Sequence, residues 1–251
     1  MSKELEGKVV IVTGASKGIG AGIAKQMGLS GAKVVVNYLA SKEGAELIVT
    51  EIHQAGGTAI AVQGDMSRQA DVKRVFQETM TAFGGVHAVV NNAGVYEFSL
   101  LDDISEESYR RIFDINVWSL ILTSQEAVKF FGENGGSIVN ISSFASTRPE
   151  PYSLVYGASK SAADGITRSL SQELGPKKIR VNSINPGGIL TEGVAKFGAT
   201  AESEDIQMMI KRSALGRMAT TDDIGKVAVF LASDRSEIVT GQTIEVSGGF
   251  K

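Results

Sequence analysis

Tyr156 and Lys160 are four positions apart, in a stretch from about Ser153 to Leu174 that is rich in small residues and has helical spacing. Residues at that separation share one helix face, so the phenol and the ammonium can act on one point. A free tyrosine titrates near pKa 10 and exchanges protons poorly at neutral pH. A neighbouring cation favours the phenolate, and lowering the pKa by about three units takes roughly 4 kcal/mol of differential stabilisation. Tyr-x-x-x-Lys alone is a frequent accident of sequence. Its partner feature lies near the start of the chain, where Val9-Val10-Ile11-Val12 runs into Thr13-Gly14-Ala15-Ser16-Lys17-Gly18-Ile19-Gly20. Glycines between a first strand and a first helix let backbone N–H groups approach a pyrophosphate, and the helix N-terminus offers it partial positive charge. Gly14, Ser16, Lys17, Gly18, Ile19 and Gly20 are therefore candidate dinucleotide contacts, with the spacing G-x-x-x-G-x-G rather than G-x-G-x-x-G.

The end of the second strand would carry an acidic residue if the dinucleotide were NAD. That place holds Asn37, followed by Tyr38, Ser41 and Lys42. A carboxylate would repel a 2′-phosphate, whereas Asn37, Ser41, Lys42 and Lys17 could donate to one, which favours NADP(H) and leaves NAD(H) open. Other chemistries are poorly supplied. The chain has no cysteine, which excludes disulfides, thiolate metal sites and cysteine nucleophiles, and only two histidines, His53 and His87, too far apart for a zinc pattern. No metal site is expected. A net charge of −3, from 25 basic and 28 acidic residues, lacks the basic footprint of a nucleic-acid or anionic-membrane binder. With no long apolar stretch at its start, the chain reads as soluble and cytoplasmic.

The elements that must position these residues follow from pattern. Short β-branched runs recur at Val9–Val12, Val34–Val36, Ala59–Val62, Val86–Val90, Ser137–Ile141, Ile179–Ile184 and Thr243–Val246. They are continuous rather than alternating, as in parallel strands covered on both faces, and helical segments separate them. The expectation is an α/β fold: a single doubly wound Rossmann-type domain over residues 1–251, with about seven parallel strands and helices on both faces. Residues 188–220 break the rhythm and are long for a connection, which suggests a lid over a substrate pocket. Glycine is abundant, 29 of 251 residues.

Taken together, Thr13-Gly-Ala-Ser-Lys-Gly-Ile-Gly20, Asn91-Asn92-Ala93-Gly94, Asn116, Ile141-Ser142-Ser143, Tyr156-x-x-x-Lys160 and Asn185-Pro186-Gly187 closely resemble the short-chain dehydrogenase/reductase family. The resemblance spans essentially the whole chain and is nearest the group of 3-oxoacyl-carrier-protein reductases, glucose dehydrogenases and carbonyl reductases. It implies hydride transfer between a nicotinamide cofactor and a carbonyl carbon, with Tyr156 as acid/base, Ser143 orienting the carbonyl, Lys160 binding the nicotinamide ribose and Asn116 distorting the fourth helix. Asp65 and Met66 would hold the adenine, Asn92, Ala93 and Gly94 would pack at the adenosine ribose, and Pro186, Gly187, Ile189 and Thr191 would hold the carboxamide. Pocket walls by family position are Tyr96, Phe98, Phe144, Glu150, Tyr152, Gly188 and Phe197, mostly aromatic and apolar. Such lining suits a hydrophobic ketone better than a polyol. Ser169-Leu170-Ser171-Gln172-Glu173 lacks the arginine that carrier-protein reductases commonly show there, so that role ranks behind a broad carbonyl reductase, with sugar dehydrogenase a further alternative. A non-catalytic nucleotide-binding scaffold on the same fold is disfavoured because Tyr156 and Lys160 are both present. The resemblance also implies a homotetramer. Ser247 replaces the aspartate usual in relatives, which puts one loop contact in question, and His87 is expected to be structural.

Overall fold

The structure is a computed structural model that describes residues 3–189, 200 and 203–250. Seven strands, β1 Val9–Val12, β2 Lys33–Tyr38, β3 Thr58–Gln63, β4 Ala88–Asn91, β5 Gly136–Ile141, β6 Ile179–Pro186 and β7 Thr243–Val246, form one parallel sheet in the order β3-β2-β1-β4-β5-β6-β7. The direction of winding reverses between β1 and β4, and that switch point opens a crevice at the carboxyl ends of the strands. β1 and β4 are buried along their full length, which is why their sequences show no polar alternation.

Helices α1 Gly18–Leu29 and α2 Lys42–Gln54 cover one face of the sheet, where Ile23, Met27, Ile48 and Ile52 join a core with Val10, Val12, Val34 and Val36. On the other face α3 Gln69–Phe83 contributes Val72, Val75 and Phe76 to a second core with Ile11, Val35 and Val89. Next come α4 Glu106–Phe113 and α5 Ser119–Phe130, joined through a π turn at Asp114–Trp118. α6, Leu154–Leu174, carries Tyr156 and Lys160. Beyond β6, α7 Glu204–Arg212 carries Met208 and Met209, and α8 Thr221–Ala232 starts at a capping box formed by Thr220 and Asp223. Of the segment expected as a lid, residues 190–199 and 201–202 lie outside the described residues. Among the described residues no helix is long and apolar enough to cross a membrane.

The fourth strand starts later than the β-branched run suggested, at Ala88 rather than Val86, and the sixth continues past Ile184 to Pro186. A proline fits there because it ends the strand, and the next ladder bond comes from the Gly187 N–H to the Val246 carbonyl (3.1 Å).

Candidate active site

The glycine-rich loop is braced from both sides of β1. The Thr13 hydroxyl accepts the N–H groups of Asn92 and Ala93, both at 2.9 Å, and the Asn92 amide donates to the carbonyls of Thr13 (2.9 Å) and Gly14 (3.0 Å). Gly14 has φ 61°, and a Cβ there would lie 2.9 Å from the Ala93 Cα, so the loop needs glycine both for its backbone angle and for the approach of β4. The first turn of α1 contains no acidic residue and Lys17 makes no side-chain cap, so the positive end of the helix faces the crevice uncancelled. A bare backbone cradle at a helix N-terminus fits the phosphates of a dinucleotide.

Asn37 does not serve as the sequence suggested. Its side-chain oxygen accepts the Gly14 N–H (3.2 Å), and its amide donates to the carbonyls of Val62 and Gly64, both at 3.2 Å. The residue is 1% exposed, and its donors are committed to holding β1, β2 and β3 together, leaving none for a 2′-phosphate. Ser16 and Ser41 flank Gly44 at the start of α2, and Lys17 and Lys42 are exposed, so the cationic and hydroxyl donors there remain those of Ser16, Lys17, Ser41 and Lys42. Tyr38, half-buried, packs against the first core. The Asp65 carboxylate accepts from the Ser67 N–H (3.0 Å) and hydroxyl (2.6 Å), and the Met66 side chain is buried in the second core. Likewise the amide of Asn92 is spent on the phosphate loop, which leaves Ala93 and Gly94 as the surface beside it.

Four side chains converge where β5, the π turn and α6 meet. Ser143, just past β5, accepts the Ala145 N–H (3.1 Å), and its hydroxyl is hydrogen-bonded with the Tyr156 phenol. The Lys160 Nζ lies 5.7 Å from the centre of the Tyr156 ring and donates to the Ile141 carbonyl (2.9 Å). Asn116 sits in the π turn, which turns its side chain into the site. It accepts from the Val95 N–H (2.8 Å) and donates to the Val95 carbonyl (2.9 Å) and the Ser159 hydroxyl (3.0 Å), clamping the loop after β4 to α6. Gly94 is close to both Asn116 and Lys160. Burial pushes the Tyr156 phenol above its ordinary value and outweighs the opposing hydrogen bond with Ser143. The expected lowering by Lys160 is therefore reversed in the chain by itself. The same burial pushes the Lys160 ammonium down to about 8, with Asp164 acting in the opposite direction.

Tyr96 stands edge-on both to Tyr156 and to Phe98, each pair with ring centres 6.3 Å apart. Phe144 packs against Phe250 (5.6 Å), and the Arg212 guanidinium of α7 lies over the Phe250 ring (4.3 Å) while approaching Glu150 (3.9 Å). Gly188 faces Met209 and Met218. Tyr152 stands apart from this group: its ring is exposed and borders a small depression with Glu97, Ser99, Ile104 and Val155. Pro186 and Ile189 are buried at the end of β6, and Gly187 packs directly on Ser247. Thr191 and Phe197 lie outside the described residues. Phe250, Arg212 and Met218 are not singled out by the sequence, because each reaches the site only through contacts distant along the chain, although Arg212 and Met218, like Met209, fall in the stretch expected as a lid. Ser247 keeps the loop closed in place of an aspartate, accepting the Phe250 N–H (3.1 Å) and donating to Glu245. His87 is structural, its Nδ1 accepting the Val9 N–H (3.0 Å). Among the described residues no cluster of three potential metal ligands occurs.

A family model described as enoyl-(acyl carrier protein) reductase matches residues 14–251. An uncharacterised oxidoreductase of Methylorubrum extorquens is 49% identical, with 100% of both chains covered. The chain belongs to the short-chain dehydrogenase/reductase family. It is thus an oxidoreductase on a fold that binds a nicotinamide cofactor. A hydroxynaphthalene reductase-like protein of Metarhizium guizhouense is 39% identical, covering 98% of this chain and 96% of its own. Among solved structures, a family member from Serratia marcescens superposes with a TM-score of 0.91 at 32% identity, covering 98% of this chain and 99% of its own. A short-chain dehydrogenase from Burkholderia cenocepacia, in complex with NADP, gives 0.90 at 34% identity, with 98% of each chain covered.

Proposed function

We propose that this family member is an NADPH-dependent reductase of hydrophobic ketones, with Tyr156, Ser143, Lys160 and Asn116 as its catalytic group. The observation that carries the reading is the half-buried Tyr156 phenol, hydrogen-bonded with Ser143, beside the Lys160 ammonium and edge-on to the Tyr96 ring. In this reading the Ser143 hydroxyl orients the substrate carbonyl, and Tyr156 gives its proton to the carbonyl oxygen as negative charge develops there. The high proton affinity that burial confers on Tyr156 keeps it in the acid form needed for reduction. Lys160 holds its positive charge next to the phenol and donates to ribose hydroxyls, while Asn116 fixes the loop that faces it. NADPH supplies the hydride when bound.

The residues that would hold the cofactor are the backbone of Gly14 to Gly20, the Asp65–Met66 turn, Ala93, Gly94 and the Pro186–Ile189 edge, with Thr191 as a further contact. Ser16, Lys17, Ser41 and Lys42 support NADP(H) over NAD(H) as donors at the 2′-phosphate, and the NADP complex of the Burkholderia relative agrees with this choice. Aromatic walls at Tyr96, Phe98 and Phe144 support an apolar ketone, as does a hydroxynaphthalene reductase-like relative. Residues 1–251 would form one catalytic domain with residues 188–220 as its lid, assembled as a cytoplasmic homotetramer. Rates on an aryl ketone, an acetoacetyl thioester and glucose, each with NADPH and NADH, test the reading. Aryl-ketone turnover with NADPH at least tenfold above the other combinations is the expected result, and faster turnover of glucose or of the thioester would overturn it.

A further inference from the structure

The proposed mechanism leaves one buried carboxylate on the catalytic helix unused. Asp164 follows Lys160 by four residues on α6, so the two side chains share a face, and Asp164 is 4% exposed. A carboxylate removed from water is costly unless its oxygens are satisfied. Here they are met by neutral donors from β6: the Asn185 amide at 2.9 Å on one oxygen and, on the other, the Ser183 hydroxyl at 3.1 Å, whose single proton is shared with Asn185. The same Asn185 amide reaches the Ser143 carbonyl (3.3 Å) and the Ser146 hydroxyl (2.9 Å), and the Asn185 oxygen accepts from Ser183 (2.8 Å). One carboxylate thus ties the helix of Tyr156 and Lys160 to the backbone of Ser143.

We propose that Asp164 is a positioning residue with two effects: through Asn185 it sets the backbone of Ser143 against Tyr156, and its negative charge keeps Lys160 protonated in a buried site. The inference rests on the reductase reading above. Among the described residues, the other groups packed around the Lys160 ammonium are neutral. They are the Ile141 carbonyl of β5, Gly94 after β4, Asn116 of the π turn and the Tyr156 phenol on its own helix. Burial works against the ammonium and Asp164 works for it, so Asp164 is the one charge that counters the cost.

Asp164→Asn separates the two effects. Its side-chain oxygen can accept from Asn185, its amide can donate to Ser183, and Ser183 can donate to the Asn185 oxygen, so the network survives without the charge. The expected result is a kcat within about threefold of wild type at pH 6.5, with the alkaline limb of the pH–rate profile moved down by roughly one unit. NADPH affinity, read by fluorescence titration of the protein without substrate, should weaken at a correspondingly lower pH. Asn185→Ala does the reverse, cutting the link to Ser143 with the charge in place. Its kcat should fall by roughly tenfold to a hundredfold while the alkaline limb stays. An unchanged alkaline limb in folded Asp164→Asn, or a kcat within twofold of wild type in Asn185→Ala, overturns the proposal. If Asp164→Asn does not fold, Asp164→Ser, which also removes the charge, takes its place in the alkaline-limb test. Tyr156→Phe measured alongside separates the two readings: retained turnover there defeats the reductase mechanism itself, whereas its loss with unshifted Asp164→Asn defeats only the role of Asp164.

Discussion

Asn37→Asp is the substitution a designer would choose to turn this site toward NAD, because an acidic residue at the end of β2 suits an unphosphorylated ribose. The hydrogen bonds around Asn37 predict that it destabilises the protein instead. The Gly14 N–H keeps an acceptor, but the two bonds to the Val62 and Gly64 carbonyls, both 3.2 Å, lose their donor. Replacing the donor by a carboxylate oxygen opposite two buried carbonyls costs about 1–3 kcal/mol for each contact, so the loss is about 2–6 kcal/mol. Against a typical total of about 5–15 kcal/mol this is severe. At about 2–4 °C per kcal/mol for a chain of this size, Tm should fall by roughly 5–20 °C. The introduced carboxyl, buried against carbonyls, would have its pKa raised in the folded state. The folded chain would then bind more protons than the unfolded one, so the destabilisation should be smaller at pH 5 than at pH 8. Thermal unfolding at both pH values, with NAD and NADP titrations at each, is the assay. A Tm within about 2 °C of wild type together with a gain in NAD affinity would refute the reasoning, since it would mean the Asn37 amide is not a structural tie.

Tyr156→Phe should lower ketone reduction at least about a hundredfold, the lower range for loss of a general acid, with NADPH affinity by fluorescence within threefold of wild type. Removing Lys17 and Lys42 together should weaken NADPH by roughly tenfold or more while leaving NADH nearly unchanged, a difference that isothermal titration with both cofactors resolves. Lys160 titrates at about 8 in the folded chain against an ordinary value of 10.5, so between those pH values the unfolded chain holds more protons. Stability from this group should therefore rise with pH over that window while NADPH binding weakens, two opposed trends that melting curves and titrations can follow. Gly187→Ala would place a Cβ 2.6 Å from the Ser247 Cβ and should cost about 1–3 kcal/mol in urea unfolding as the β6 and β7 ends are forced apart.

Features carried by neighbours along the chain were legible before the structure. The phosphate loop is a strand, a glycine turn and a helix in continuous sequence, and Tyr156 with Lys160 needs only one helix to bring them together. The seven strands announce themselves because burial on both faces removes polar alternation, and parallel order follows from a helix between successive strands. What the sequence alone could not determine depends on chain segments that meet only after the sheet is assembled. Asn37 passes for a surface donor until β3 supplies the carbonyls of Val62 and Gly64. Phe250 is the second-last residue of the chain and gains meaning when it seats between Phe144 and Arg212. Asp164 becomes a tie to Ser143 through Asn185, 21 residues further on. The sign of the Tyr156 shift belongs to the same class: a cation four residues away is visible in the sequence, but desolvation is set by everything packed around the phenol, and here it is the larger effect. Local spacing decided which groups could do the chemistry, and tertiary packing decided which remain free to do it, because hydrogen-bond partners and burial are properties of the assembled sheet.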